Sequence, residues 1–186
     1  MSDNFTWILF FEELADRLVA WQGRQAELIA FLDEMRSEGM VVTPTMDRDA
    51  LGAKFGLDEI DPFTFIGTLN RGITLENRLA IAARMKRHFD LDAPIPTDFD
   101  GVPTVHNMKT WFVKYKADRG PEDVSTLWHV FERALGPDPL HDDDFLQALD
   151  AAFGLGGINI KITIGLYWIR PSVFVSLDRP MRDAHA

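Results

Sequence analysis

The sequence predicts a mainly α, helical globular domain with a small two-stranded β element near its C-terminus. Three observations predict it. Apolar residues recur at three- and four-residue spacing through most of the chain, the period of an amphipathic helix. Most periodic stretches carry helix punctuation, Asp-Pro or Thr ahead of them or glycine behind. Strict alternation, the mark of a half-buried strand, is confined to INIKITI at 158–164; IGLYWIRP follows as a buried apolar run and SVFVSL at 172–177 as a short β-like stretch, so 158–178 is open to strand or helix.

Residues 5–37 read as helix through Phe5, Ile8, Leu9, Leu14, Leu18 and Trp21, then Leu28, Ile29, Leu32 and Met35. Gly23 is where that helix would split, and Gly39 caps it. Residues 40–59 read as a connector with one short helix from Asp47 to Phe55. Asp61-Pro62 starts the next helix, an acceptor at the cap and proline at the first helical position. Phe63, Phe65, Ile66 and Leu69 form its buried side, and Gly72 ends it. Thr74 caps a helix with Leu75, Leu79, Ile81, Ala82, Met85 and Phe89 behind it. Residues 90–104, DLDAPIPTDFDGVPT, hold three prolines and a glycine and read as loop. Helices are expected at 106–117 and 121–135, the latter closing at Gly136. A last helix runs to Phe153, its start rich in aspartate to suit the helix dipole. The 186 residues fit one domain, 1–186: N-terminal helices at 1–39, a helical core at 61–135, and a C-terminal helix with a strand-like segment at 143–178. A chain of this length buries roughly 70% of its unfolded surface without staples.

There is no cysteine, so disulfides and thiolate metal sites are excluded. The opening residues lack the basic region of a signal peptide, and no apolar run reaches the roughly 18 residues of a membrane span. The expectation is a cytoplasmic protein without membrane contact. The formal charge is −10, which argues against a generic nucleic-acid binder. That charge is uneven. Residues 1–60 carry 5 basic and 12 acidic side chains, residues 61–120 carry 9 and 7, and residues 121–186 carry 5 and 10. The middle third is a basic island, a candidate anion-binding face.

Catalytic motifs are missing. There is no G-x-x-x-x-G-K-[ST], no G-x-S-x-G and no H-E-x-x-H, and the five histidines lack ligand spacing. Asp98-Phe99-Asp100-Gly101 starts like a cation loop but lacks the later ligands of an EF-hand, so its aspartates are read as shaping a turn. Asp138 with Asn159-Ile160-Lys161 echoes a nuclease core, but an amide stands where a second carboxylate should help hold the metal.

Basic and aromatic residues are the better candidates. HNMKTWFVKYKADRG, 106–120, holds Lys109, Trp111, Lys114, Tyr115, Lys116 and Arg119. On a helix Trp111, Lys114 and Tyr115 share a face. Lysines neutralise phosphates and aromatic rings stack on unpaired bases. Phe112 is expected in the core. Asn70 and Arg71 sit at the corner between two helices, placed to meet a phosphate or a base edge. Otherwise Arg71 pairs with Asp98 or Asp100 and ties down the proline-rich loop. Arg170, held extended by Pro171, serves a ligand or a carboxylate.

The phrases DPFTFIGTLNRGITLENRLAI, APIPTDFDGVPTVHNMKTWF, DRGPEDVSTLWHVFERAL and KITIGLYWIRPSVFVSLD together resemble the N-terminal region of McrB-like AAA+ ATPases, motor subunits of modification-dependent restriction systems. The resemblance spans most of residues 5–178. It implies a non-catalytic DNA-recognition domain for DNA, modified DNA included, with a downstream AAA+ motor and a separate nuclease subunit as partners. NTP and magnesium would belong to that motor, with no cofactor in this chain. The chain as given holds no motor, so it reads as an N-terminal piece or a short relative. Two other readings stand beside it: a protein–protein adaptor of a defence complex, and a small base-processing or nuclease enzyme.

Overall fold

The computed structural model of the chain describes residues 5–177. Helix α1, Trp7–Leu18, points Trp7, Phe10, Phe11, Leu14, Ala15 and Leu18 inward, a single apolar stripe of helical period. A 3-10 turn over Val19–Arg24 contains Gly23 and joins it to α2, Gln25–Ser37. Gly39, with φ of 92°, closes α2, and the Met40 N–H returns to the Met35 carbonyl as in a Schellman cap. Both expectations for this region hold.

The connector 40–59 contains a hairpin instead of a helix. Strands β1, Met46–Arg48, and β2, Lys54–Gly56, pair antiparallel with Asp47 opposite Phe55. Asp49 Oδ1 accepts from the Leu51 and Ala53 N–H groups, and Gly52 takes φ of 81°. An aspartate that folds its own backbone back, followed by a left-handed glycine, makes a turn and competes with helix. The two-stranded element therefore lies here, not near the C-terminus.

Asp61 caps α3, Pro62–Ile66, its Oδ1 accepting from the Thr64 N–H at 2.8 Å. The helix ends at Gly67, five residues ahead of Gly72. Tighter i→i+3 bonds then carry the chain through Thr68, Leu69 and Asn70. Thr74 caps α4, Leu75–Phe89, as its position predicts. Residues 90–104 form a loop clamped to α1. Asp98 Oδ2 accepts from Thr6, and the Trp7 indole donates to the Asp100 carbonyl at 2.8 Å. The aspartates of that loop thus shape a turn and hold a helix start.

Helix α5, Asp123–Ala134, packs on α6, Asp143–Gly154, which Asp142 caps. The alternating INIKITI segment is not a strand. Its second half opens α7, Lys161–Ile169, which packs on α1. Six of its nine residues are buried, so packing on several sides overrides the β preference of its isoleucines. Residues 171–177 form turns and irregular chain. No helix among the described residues is long and apolar enough to cross a membrane.

Gly165 shows how tightly α7 is seated. A Cβ there would stand 2.5 Å from Phe63 Cδ1 and 3.2 Å from Phe112 Cε1. Gly165→Ala in an open helix gains about 1 kcal/mol. Overpacking here costs about 1–3 kcal/mol. The expected result is a Tm lowered by a few °C in a thermal melt. A raised Tm would mean that the Phe63 ring yields freely.

Candidate nucleic-acid cleft

Residues 107–118 do not form the expected helix beyond a 3-10 turn at Asn107–Lys109. Other elements take the backbone donors that a helix would use. The Phe112 N–H donates to Thr64 Oγ1 at 2.7 Å, and the Lys116 N–H donates to Asp47 Oδ1 at 2.9 Å. The Phe112 ring inserts between Phe63, 5.5 Å away between centroids, and Trp168, at 5.9 Å. Asn107 Nδ2 also donates to the Gly72 carbonyl at 2.8 Å, so the segment is pinned at Asn107, Phe112 and Lys116, and Lys109, Lys114 and Tyr115 between them are exposed.

Those side chains wall a cleft of about 730 Å³. Lys109, Trp111, Lys114, Tyr115 and Asp118 come from this segment, Pro44 and Met46 from the hairpin side, and Gly156, Gly157 and Lys161 from the approach to α7. Such a volume suits a ligand of nucleotide size. The Trp111 and Tyr115 rings stand 5.4 Å apart at 60°. The Trp111 indole donates to the Pro44 carbonyl at 3.1 Å, which fixes its plane, and Tyr115 is half exposed under the guanidinium of Arg48. Sequence reasoning thus unites Trp111, Lys114 and Tyr115 by the wrong route, since a pinned turn brings them together, not a helix face.

Lys161 forms the deep end. Its Nζ donates to the Trp111 carbonyl and lies 4.6 Å from the centre of the Phe112 ring. Burial pushes its pKa down to about 8. Asp61 opposes that shift, and Lys109 adds to it. Asp61 is itself fully enclosed, and burial raises its pKa, so it is a weakened counter-charge. Lys109, Lys114 and Lys161 form no ion pair among the described residues, whereas Lys116 is paired with Asp58. Three cations therefore share the cleft with one lining carboxylate, Asp118.

The other candidates are structural. Asn70 is fully buried, and its Oδ1 accepts from Arg78 at 2.7 Å. Arg71 is also buried, and its Nη1 donates to the Val42 carbonyl at 2.9 Å. Neither expected partner of Arg71, a nucleic acid or the carboxylates of Asp98 and Asp100, matches this geometry. The chain at Arg71 runs beside Val105 in a parallel bridge, so it lies inside the fold and not at a helix end. The arginine that ties this corner is Arg78, over the Phe99 ring and bonded to the Leu69 carbonyl, with burial lowering its pKa to about 10. Arg119 is buried against Asp47 and Glu59. Burial works against its charge, but the hydrogen bonds it donates to Glu59 and Asp47 outweigh it and raise the pKa. Arg170 joins α7 to α1 through Asp16 and the Glu12 carbonyl. Lys109, Trp111 and Lys114 remain on the cleft. Lys161 joins them unforeseen, carrying a signal only in the nuclease echo.

The nuclease echo does not assemble. Asp138 pairs with His141 in a separate surface depression, while Lys161 lines the cleft. No cluster of three or more metal-ligating side chains occurs among the described residues. Comparison with curated proteins and with solved structures gave no match. A match over residues 7–184 identifies the chain as a member of the family described as a domain of unknown function, DUF8425.

Proposed function

We propose that the chain is a non-catalytic DNA-recognition domain that engages nucleic acid at the lysine-lined cleft, in the manner of the N-terminal domains of McrB-like restriction motors. One observation carries the reading. Three lysines that form no ion pair among the described residues flank a tilted pair of aromatic rings, on a chain whose formal charge is −10. Lysines meet phosphates, and exposed rings stack on unpaired bases. The acidic remainder keeps the intrinsic affinity low, so full binding arises when several copies act together in the assembled motor. In that setting a AAA+ motor and a nuclease subunit are the partners.

Fluorescence anisotropy with labelled duplexes tests the proposal. Unmodified DNA is compared with 5-methylcytosine, 5-hydroxymethylcytosine and N6-methyladenine duplexes at low and moderate salt. Preference for one modified duplex that survives added salt supports base recognition. No binding by folded protein at low salt would contradict it. The adaptor reading would then gain, and it has its own support: Leu146 and Phe153 lie seven residues apart on α6, on one face, and both are exposed.

A further inference from the structure

Lys161 is an unusual floor for a cleft. Among the described residues its ammonium directly meets the Trp111 carbonyl and the Phe112 ring. A largely buried cation normally finds a carboxylate at contact distance. The charged and titratable groups around it are few. Asp61 acts from the α3 cap, and Lys109 acts from the 107–118 segment. Lys114, Tyr115 and Asp118 line the same cleft from that segment. Lys114 lies across Gly156, its Cε and Nζ occupying the space that a Cβ there would take. The cleft thus has cations at its floor and rim, and a ring pair on the wall between them.

We propose that this cleft is a binding site for a phosphate monoester joined to a planar ring, the chemistry of a nucleoside monophosphate, with Lys161 as the direct partner of the phosphate. The inference rests on the anion-binding reading of the cleft given above, not on duplex recognition. The ligand is a free mononucleotide or the 5′-phosphorylated end of a single strand. The ring lies against Trp111 and Tyr115, and the phosphate takes Lys161 with Lys109 or Lys114. A phosphate is the counter-charge that Lys161 lacks, so its arrival favours the ammonium. Because burial leaves Lys161 with a pKa of about 8, half of the free molecules lack that proton at pH 8. Binding at pH 8 then takes up about half a proton per site, and uptake vanishes near pH 6.5, where Lys161 is already charged. A phosphate monoester is a dianion at pH 8, its second pKa being about 6, so the ligand supplies little of that signal.

Isothermal titration calorimetry of the 186-residue chain tests this, at pH 6.5 and 8.0, in HEPES and Tris, buffers of different ionisation enthalpy. The probes are adenosine 5′-monophosphate, adenosine, inorganic phosphate and a pentathymidylate with and without a 5′-phosphate. The monophosphate is expected to bind at least about tenfold more tightly than adenosine or phosphate alone. Uptake of about half a proton is expected at pH 8.0 only. Lys161→Met should lose that tenfold. Lys161→Arg should keep the binding and lose the uptake, since arginine stays charged. Circular dichroism confirms that each variant is folded. If only the 5′-phosphorylated strand shows the gain, the ligand is a strand end, and if the free nucleotide shows it, the ligand is a small molecule. Overturning results are equal binding of adenosine and its monophosphate with no gain from the strand phosphate, or proton uptake that persists in Lys161→Met. Duplex binding without nucleotide binding would overturn this site and leave the DNA reading standing. Nucleotide binding without duplex binding would do the reverse.

Discussion

Arg119→Ala is expected to destabilise the domain by about 3–5 kcal/mol, because it leaves a buried carboxylate without its cation. The Arg119 side chain is 2% exposed and that of Asp47 is 0% exposed, with 2.7 Å between Nη1 and Oδ2. Glu59 takes a second nitrogen at 2.7 Å. Asp47 also receives the Lys116 and Arg48 N–H groups, so one carboxylate joins the hairpin to the segment that walls the cleft. For a chain of this size 1 kcal/mol shifts Tm by about 2–4 °C, so the melt should fall by about 10 °C. Lys116→Ala provides the contrast. Its partner Asp58 is half exposed, and such a surface pair contributes about 0–1 kcal/mol. Urea or thermal melts of the two variants check the pair. Equal effects would mean that the Arg119 network carries no special weight.

Lys109→Glu combined with Lys114→Glu is expected to abolish DNA binding while leaving the melt nearly unchanged. Both side chains are exposed on the cleft wall, and among the described residues neither holds another element in place through an ion pair. Removing one lysine–phosphate interaction lowers the salt dependence of log K by about one, so two reversals should flatten the slope by about two before binding disappears. Trp111→Ala should act differently, weakening binding by about 1–3 kcal/mol through the absence of stacking, with the salt slope preserved. Anisotropy titrations across a salt series separate the two effects. A double variant with wild-type affinity would remove the cleft from the account.

Local punctuation made much of the fold legible. Asp61-Pro62, Thr74 and Gly39 behave as their chemistry dictates, because caps and left-handed glycines are decided within a few residues. The misreadings come from long-range partners. Thr64 and Asp47 lie far in sequence from the N–H groups of Phe112 and Lys116, so nothing local announces that 106–117 will not close a helix. The isoleucines of 158–164 alternate as a strand would, yet Ile162 and Ile164 are both buried on α7, and periodicity cannot see burial on several sides. The site shows the same division. Lys109 and Lys114 of the basic island line one cleft, but charge counting cannot separate an exposed lysine from Arg71 or Arg119 inside the fold. Lys161 stands out in the sequence only through the nuclease echo, because its environment, not its neighbours in sequence, makes it unusual.

The central claim, that nucleic acid enters the cleft walled by residues 107–118, is tested most directly by an amide and indole 1H–15N spectrum during titration with DNA. Shifts are expected at the Trp111 indole and at the amides of Lys109, Lys114, Tyr115, Gly156 and Gly157, with the buried amides of α5 unmoved. Shifts centred instead on the exposed face of α6 around Leu146 and Phe153, with the cleft signals unchanged, would contradict it.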